Sequence, residues 1–332
     1  MKLYNIQRKL FSVSSIPIID LAGLRAGSPR EMKSVGNQID QANKEIGFFL
    51  VKNTGFDFKF IDKTLKSCEE FFLSDMSNKM KCRIDEPPEC KPWGYFPRNM
   101  ELLQRSKDFN KKEKGTYLND INEQYNMQND NAKAGLVQRV FPNYPESFKP
   151  LFTKYWKDCE GLSNLLLKGF ALGLDVNQDF FENKFDHCAS CLRVLYYPEA
   201  VKLQPGQFRA SEHTDYGALT VLYSTAPGLQ LKTRKGDWID VEVPPEHFVI
   251  NIGDLMAFWT NDRWVSTPHR VISKDVENPV KRFSFAFFHN PNSEIIVDCV
   301  NSCKDENNPW RYQQITSGEF IMKKFKASIG EI

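Results

Sequence analysis

The sequence has little of several features that mark large classes of protein. Only eight of its 332 residues are cysteine, which is too few for a small domain held together by disulfides. Basic and acidic residues nearly balance, at 44 and 42, so no general positive field attracts nucleic acid. No apolar run approaches the roughly 18 residues that a membrane span needs. We therefore expect no nucleic-acid or membrane partner, and a cytoplasmic setting with reduced thiols.

Common catalytic and metal motifs are missing as well. The chain contains no GxGxxG, Walker A or GxSxG string, which argues against nucleotide-phosphate and serine-hydrolase chemistry. Two cysteine pairs, Cys188/Cys191 and Cys299/Cys303, differ in spacing and flank a long stretch of sequence. Zinc knuckles favour two tight pairs, so we interpret these cysteines as free thiols.

The chain nevertheless has the composition of a folded protein. Hydrophobic residues make up 41% and phenylalanine alone contributes 26 residues, enough for a sizeable core. The length allows either two domains or one large unit. The first 19 residues carry no acidic side chain. We interpret them as a short lead-in to a strand over 16–21, and the alternative is a transit peptide.

The first half of the chain is predicted to be mainly helical. Apolar residues at three- and four-residue steps predict helices over 28–46, 60–72 and 151–174. A buried strand is expected over 48–51. Residues 83–148 are polar and irregular, and we expect loops there that cover a site.

The second half of the chain has the sequence pattern of a β protein. Strand-like runs alternate with turn signals over 192–197, 219–223, 229–232, 238–241, 248–252, 255–259, 270–272, 283–288 and 295–297. Regular short strands of this kind are typical of a sandwich or jelly roll. We expect an α+β protein, packed as one structural unit, with three successive parts: a mostly helical region over 1–185, a jelly-roll core over 186–300 and a C-terminal helix within 301–332.

The most informative short pattern is His213-Thr214-Asp215. In extended backbone, residues two apart point to the same face, about 7 Å apart at the Cα atoms, so this imidazole and carboxylate can share a metal ion. His269, at the start of a later strand, would complete the two-histidine, one-carboxylate set that holds non-haem Fe(II). A His-x-Asp string alone is a weak signal, and the alternative is an exposed strand histidine.

A second pattern, Arg282-Phe283-Ser284, follows on a strongly apolar strand. Arg282 and Ser284 share one face there, opposite Phe283 and Phe285. A guanidinium on the core side of a sheet is costly unless an anion meets it, and its forked donors suit a carboxylate. The alternative for Arg282 is an internal salt bridge.

In combination, these strings resemble the Fe(II)- and 2-oxoglutarate-dependent dioxygenases of the isopenicillin N synthase-like superfamily. The similar strings in the C-terminal half are His213-Thr214-Asp215-Tyr216-Gly217, Gly228-Leu229-Gln230, Asn251-Ile252-Gly253-Asp254, Ser266-Thr267-Pro268-His269-Arg270-Val271 and Arg282-Phe283-Ser284. Those in the N-terminal half are Ile16-Pro17-Ile18-Ile19-Asp20, Gly47-Phe48-Phe49, Gly94-Tyr95 and Leu195-Tyr196-Tyr197-Pro198. The resemblance covers nearly the whole chain and implies a double-stranded β-helix (jelly-roll) core flanked by helices.

The resemblance also implies roles for particular side chains. It implies that the catalytic iron ligands are His213, Asp215 and His269. Arg282 and Ser284 would bind the distal carboxylate of 2-oxoglutarate, and Tyr197 would add a hydroxyl donor. Leu195, two residues before Tyr197, stands where the family often has asparagine, so we do not expect the cosubstrate contact that this asparagine would make.

The activity implied is oxidation of an unactivated C–H bond of a small organic molecule, with Fe(II), 2-oxoglutarate and O2. Hydroxylation, desaturation and oxidative ring closure all stay open, in specialised or amino-acid-derived metabolism. Two other functions on the same scaffold are an oxidase like isopenicillin N synthase, which needs no cosubstrate, and a catalytically inactive ligand-binding module.

Three aromatic residues are candidates for contact with the substrate. Phe288 lies an even number of residues beyond Arg282, and therefore on the same strand face. Trp93 and Tyr95 lie in the polar region that could form a lid. For each of the three, packing in the core is the alternative.

Overall fold

The structure is a computed structural model that describes residues 16–83, 94–98, 118–128, 140–199, 203–204 and 206–329. The N-terminal lead-in, and with it the transit-peptide alternative, lies outside these residues except for its last few positions. Within the described ranges, no helix combines the length and apolar character needed to cross a bilayer.

The described helices and strands follow the sequence pattern closely in most places. The helices are α1 (Ala22–Ala26), α2 (Pro29–Glu45), α3 (Phe58–Phe72), α4 (Met76–Met80), α5 (Phe148–Gly173), α6 (Asp254–Trp259) and α7 (Ser317–Ile329). The strands are β1 (Ile18–Asp20), β2 (Phe48–Lys52), β3 (Gly94–Phe96), β4 (Glu123–Gln128), β5 (Cys191–Tyr197), β6 (Ala210–His213), β7 (Leu219–Ser224), β8 (Leu229–Lys232), β9 (Trp238–Asp240), β10 (Phe248–Ile252), β11 (His269–Val271), β12 (Arg282–His289), β13 (Ile296–Val297) and β14 (Ile315–Thr316).

Two sheets carry the architecture. The larger has eight strands in the order β1-β2-β10-β7-β12-β5-β4-β3, and the smaller has four in the order β6-β11-β8-β9. Strand alternation sends successive side chains to opposite faces. On β2, Phe49 and Val51 join the large core that includes α2, α3 and α5, whereas Phe48 and Leu50 join a smaller core that includes the four-stranded sheet. The α+β class predicted from the sequence is confirmed.

Helix α5 packs against α2 through glycine. A Cβ atom added at Gly36 would lie 2.8 Å from the Leu172 side chain and 2.9 Å from the Gly173 nitrogen. The two backbones therefore approach more closely than any side chain would permit. The other side of α5 presents Phe152, Tyr155 and other apolar residues to the large sheet, and this contact holds the strands that carry the site against the helices.

The structure corrects the prediction at residues 255–259, which form helix α6 and not a strand. A run of five apolar residues cannot distinguish a buried strand from a buried helix by periodicity. Gly253, extended at the N-cap position, and Asp254 in the first turn are the features that favour a helix start here.

The polar region 83–148 contains two strands that the sequence analysis did not predict, β3 and β4. All six residues of β4 are buried, although four of them are polar. Strand β4 pairs with β5 along its full length, so its backbone groups are satisfied in the sheet. Because most of its side chains are polar, β4 lacks the alternation of apolar and polar residues on which strand prediction depends. Strand β6, which ends at His213, was missed as well.

Candidate metal and cosubstrate site

Three side chains from two neighbouring strands and the turn after one of them converge at one end of the smaller sheet. His213 ends β6 and His269 begins β11, and these two residues are direct partners in the antiparallel pairing. Asp215 follows two residues after His213. Its Oδ1 lies 3.9 Å from His213 Nε2 and 3.6 Å from His269 Nε2. One ligand atom from each residue lies within 4.8 Å of the others, a spacing that suits a shared metal ion.

Backbone carbonyls orient both imidazole rings. His213 Nδ1 donates to the carbonyl of Ser211 at 2.7 Å, and His269 Nδ1 donates to that of Thr267 at 3.1 Å. With the proton on Nδ1, each Nε2 has a lone pair directed toward Asp215. These hydrogen bonds leave Nε2 of both rings available as a donor atom for a metal ion.

The carboxylate of Asp215 is held by two neutral donors. Its Oδ2 accepts hydrogen bonds from Thr220 Oγ1 at 2.5 Å and from Asn251 Nδ2 at 2.6 Å. Thr220 on β7 and Asn251 on β10 are directly opposite each other in the large sheet. They engage one oxygen of the carboxylate, so the other oxygen faces the two imidazoles.

The electrostatics of His213 and Asp215 favour the metal-binding protonation states of these two groups. Burial, reinforced by the charge of His269, lowers the pKa of His213 to about 3. Burial works to raise the pKa of Asp215, but the nearby histidines and its two hydrogen bonds hold it below its ordinary value. At neutral pH His213 is therefore neutral and Asp215 ionised. Two imidazoles and one carboxylate are the donor set of a non-haem Fe(II) site.

Arg282 begins β12 beside this group and is completely buried. Its Nε donates to the carbonyl of Ala226 at 2.9 Å, and Nη1 donates to Ser284 Oγ. The remaining nitrogen, Nη2, is buried and has no partner among the described residues. No carboxylate of the described residues pairs with Arg282, so the internal salt bridge considered for it is not found there. An unpaired buried guanidinium nitrogen fits an anionic ligand.

Tyr197 lies next to Arg282, and we call Arg282, Ser284 and Tyr197 the Arg282 corner. It is the partner of Arg282 across the β5–β12 pairing, and its ring centroid lies 5.1 Å from the guanidinium carbon. Burial raises the pKa of the Tyr197 hydroxyl, which therefore stays protonated and able to donate.

One cavity brings these residues together. It is lined by the predicted iron and cosubstrate residues, which are His213, Asp215, His269, Arg282, Ser284 and Tyr197. Phe288 also lines it, as predicted from its position on β12. Leu195, Leu222, Leu229 and Val271 contribute apolar wall. The cavity thus combines a donor set that suits a metal ion, a buried guanidinium that suits an anion, and an apolar surface.

The structure does not bring Tyr95 to this cavity, and we correct the substrate contact predicted for it. Its ring lies in the large core, 6.1 Å from that of Phe71, and its hydroxyl donates to Glu123 Oε2 at 2.6 Å. Glu123 also forms a buried ion pair with Lys79 at 2.8 Å. Core packing, the alternative for this aromatic residue, is its observed role. Trp93 lies outside the described residues.

The sequence analysis missed three polar residues of the cavity, Thr220, Asn251 and Arg193. Asn251 stands in one of the strings that carried the family resemblance, but nothing in that string shows that its amide meets Asp215. Arg193 could have been found, because it lies four residues before Tyr197 on the same strand and so shares its face.

Two family models match the chain. The 2OG-Fe(II) oxygenase superfamily matches residues 188–291, which include all the residues that line the cavity except Phe48. The N-terminal model of a non-haem dioxygenase in morphine synthesis matches residues 16–146.

Similar curated proteins extend over the whole chain. A 2-oxoglutarate-Fe(II) type oxidoreductase of Metarhizium rileyi is 27% identical, over 94% of this chain and 91% of its own length. A homoarginine-6-hydroxylase of Oryza sativa is 28% identical, over 93% of this chain and 96% of its own. Among solved structures, the full-length Neurospora crassa protein crystallised with alpha-KG and thymine is 26% identical. It matches with a TM-score of 0.82, over 94% of this chain and 96% of its own.

Proposed function

Because this chain belongs to the 2OG-Fe(II) oxygenase superfamily, we propose that it oxidises an unactivated C–H bond of a small organic molecule. It is an enzyme, a non-haem dioxygenase dependent on Fe(II), 2-oxoglutarate and O2. The jelly-roll fold predicted from the sequence is that of its structural neighbours. The observation that carries the proposal is the convergence of the His213, Asp215 and His269 ligand atoms in one cavity with the unpaired Nη2 of Arg282.

The proposed roles of the side chains follow from their geometry. His213, Asp215 and His269 would bind Fe(II) from one side and leave coordination positions open toward the cavity. The Arg282 guanidinium and the Ser284 hydroxyl would anchor the distal carboxylate of 2-oxoglutarate, with Tyr197 as a further donor. When bound, the iron and cosubstrate supply an oxidant by reduction of O2 coupled to decarboxylation of 2-oxoglutarate to succinate.

In this proposal the apolar wall of the cavity excludes water and contacts the substrate. Leu222, Leu229 and Val271 exclude water from the space next to the ligands, which protects a reactive oxidant from side reactions. They also suit a substrate whose reacting carbon is part of an apolar body. Whether the substrate is hydroxylated, desaturated or cyclised depends on how that body is held.

We propose a role in small-molecule biosynthesis, in specialised or amino-acid-derived metabolism. Support comes from relatives named as a homoarginine-6-hydroxylase and a jasmonate-induced oxygenase. We also propose that the enzyme works in the cytoplasm. Five cysteines of the described residues are free thiols, as is typical of a reducing compartment, namely Cys68, Cys82, Cys159, Cys299 and Cys303.

The test is aerobic incubation with Fe(II), 2-oxoglutarate and a pool of amino acids, terpenoid acids and phenolic acids, read by succinate release and mass change. Succinate formed in proportion to an oxidised product supports the proposal. Oxidised product with O2 consumption but no succinate would instead indicate an oxidase like isopenicillin N synthase. Ligand binding without Fe(II) binding would indicate an inactive module.

A further inference from the structure

Strand β6 contains a bulge immediately before His213, one of the proposed iron ligands. Ala210 is the partner of Val271 on β11 and His213 is the partner of His269, so three positions along β6 match two along β11. Residues an odd number of positions apart point to opposite faces of a regular strand. The extra residue removes this difference, and Ala210 and His213 both line the cavity. The bulge therefore aims the His213 imidazole at the cavity.

Ser211 lies within this bulge, and its backbone connects two other groups. Its carbonyl accepts the hydrogen bond from His213 Nδ1 at 2.7 Å, which sets the orientation of the ring. A bulge leaves its extra residue unpaired in the ladder. The Ser211 amide donates instead to Asp120 Oδ1 at 2.9 Å, and the Ser211 hydroxyl donates to the same oxygen. Both residues are buried. One carboxylate oxygen thus holds the residue whose carbonyl holds the imidazole.

Asp120 belongs to a segment, 119–122, that is itself fixed along the segment 207–211. Three further hydrogen bonds join the two segments, from the Ile121 amide to the Phe208 carbonyl at 3.1 Å, from Asn122 Nδ2 to the Arg209 carbonyl at 2.7 Å and from Gln207 Nε2 to the Asn119 carbonyl at 2.9 Å. The segment 119–122 leads into β4 of the large sheet, whereas the bulge belongs to the smaller sheet. The large sheet therefore carries the carboxylate that holds the bulge.

His269 is held through different contacts. Its Nδ1 donates to the Thr267 carbonyl at 3.1 Å, and Thr267 Oγ1 donates to the Ile46 carbonyl, just after α2, at 2.5 Å. The two imidazoles thus depend on separate backbone carbonyls, one of Ser211 and one of Thr267. A change at Asp120 should therefore act on one ring and leave the other as an internal reference.

Resting on the metal site and the oxygenase function proposed above, we propose that Asp120 is a positioning residue for His213. It holds the β6 bulge so that the Ser211 carbonyl keeps the proton of His213 on Nδ1 and leaves Nε2 facing Asp215. An aspartate suits this role because one carboxylate oxygen can accept two hydrogen bonds, here from the amide and the hydroxyl of a single residue. Without it the buried Ser211 amide loses its acceptor, and the bulge relaxes.

The test measures metal binding without turnover, with Co(II) alone as the probe. Imidazole and carboxylate ligands bind Co(II), and its unpaired electrons shift the proton NMR signals of the ligating rings far outside the ordinary range. Absorption titration gives the Co(II) affinity. The Nδ1 protons of the two ligating histidines give two shifted signals that exchange with D2O. Wild-type protein should bind one Co(II) per chain and show both signals.

Two variants at Asp120 and one control complete the design. Asp120→Ala should bind Co(II) about 10- to 100-fold more weakly, the usual effect of losing an outer contact of a metal site, and one of the two signals should exchange faster with solvent. Asp120→Asn keeps an acceptor oxygen without the charge and should lie between Asp120→Ala and wild type. Asn292→Ala is the control, because Asn292 is buried outside the cavity and its Oδ1 accepts from the His187 amide at 3.1 Å. It should lower the free energy of unfolding but leave Co(II) affinity and both signals as in wild type.

The two signals separate a positioning role from a general loss of structure. Wild-type affinity and exchange in Asp120→Ala, or in Asp120→Asn if the alanine variant does not fold, would overturn the proposal. Equal acceleration of both signals, or fewer than two signals in loaded wild-type protein, would overturn it as well. A folded wild-type protein that binds no Co(II) would contradict the metal site and the oxygenase function themselves, whereas a failure confined to the role of Asp120 leaves wild-type binding intact.

Discussion

His213 and His269 lie directly opposite each other where β6 pairs with β11, and their ring centroids are 4.3 Å apart. The backbone ladder therefore fixes the spacing of the two imidazoles. Asp215 is placed by the turn that follows β6, where the amide of Asp254 donates to the Asp215 carbonyl at 2.8 Å. Gly253, at the start of α6, packs against this turn and must be glycine, because a Cβ there would lie 2.4 Å from the Gly217 oxygen. The fold of the chain thus fixes the relative positions of His213, Asp215 and His269.

Removal of one imidazole should abolish catalysis. We expect His269→Ala to reduce substrate-dependent succinate release to the background without enzyme, because two ligands cannot keep Fe(II) in its open facial geometry. His247→Ala is the matched control, since His247 lies outside the cavity with its Nδ1 on the Pro245 carbonyl. Turnover by His269→Ala at the control rate would reject the ligand assignment.

The two donors on Asp215 should contribute to metal affinity. Asn251→Ala and Thr220→Val each remove one hydrogen bond from Oδ2, and we expect each to weaken metal binding by about 10- to 100-fold, the usual effect of losing such an outer contact. Metal titration of the folded variants measures this. Thr214→Val is the control, because Thr214 donates to Asp254 and not to the Asp215 carboxylate. If all three variants bind metal alike, the two donors have no such role.

The Arg282 corner should determine affinity for 2-oxoglutarate. Arg282→Ala removes a buried charged donor, and we expect the KM for 2-oxoglutarate to rise about 10- to 100-fold while turnover at saturating cosubstrate changes less. Ser284→Ala removes one neutral hydroxyl and should raise KM by a smaller factor. Initial rates at a series of 2-oxoglutarate concentrations give both constants. An unchanged KM in Arg282→Ala would show that 2-oxoglutarate does not bind to the Arg282 guanidinium.

A fourth prediction concerns stability against pH. Burial lowers the pKa of His289 to about 3, whereas a histidine in an unfolded chain titrates near 6.5. Between these values the unfolded chain binds a proton that the folded protein excludes. The part of the free energy of unfolding that depends on His289 is therefore at its maximum above about pH 6.5 and decreases as the pH falls toward 3.

His289→Gln removes this titration. Its free energy of unfolding should fall less steeply with decreasing pH than that of wild type, by up to about 1.4 kcal/mol per pH unit within that window. Urea unfolding at several pH values measures the slope. His187→Gln, near the surface beside Asp186 and Glu294, serves as the comparison. Parallel curves for wild type and His289→Gln would contradict the prediction.

The sequence was informative wherever side-chain alternation was clear. Strand β12 was predicted nearly to its ends because phenylalanines alternate with Arg282 and Ser284 on an apolar strand. The polar strand β4 was missed because its stability comes from pairing with β5 and from contacts such as that between Lys79 and Glu123, which are distant in sequence. Local patterns do not contain such long-range contacts.

The same limit applies within the site. The convergence of His213, Asp215 and His269 could be predicted because these residues stand in strings that resemble those of a known family. The hydrogen bonds from Asn251 and Thr220 to Asp215 depend on how separate strands pair. Sequence spacing alone gave no register for those strands, and for that reason these residues were found only in the folded structure.

The most direct test of the central claim is an anaerobic titration of the metal-free protein with Fe(II) in the presence of 2-oxoglutarate, followed by the visible charge-transfer band of the chelate. We predict that the band reaches its plateau at one Fe(II) per chain in wild type and does not form in His269→Ala. A folded wild-type protein that never develops the band, or a His269→Ala variant that develops it with the same affinity, would contradict the assignment of His213, Asp215 and His269 as the iron site.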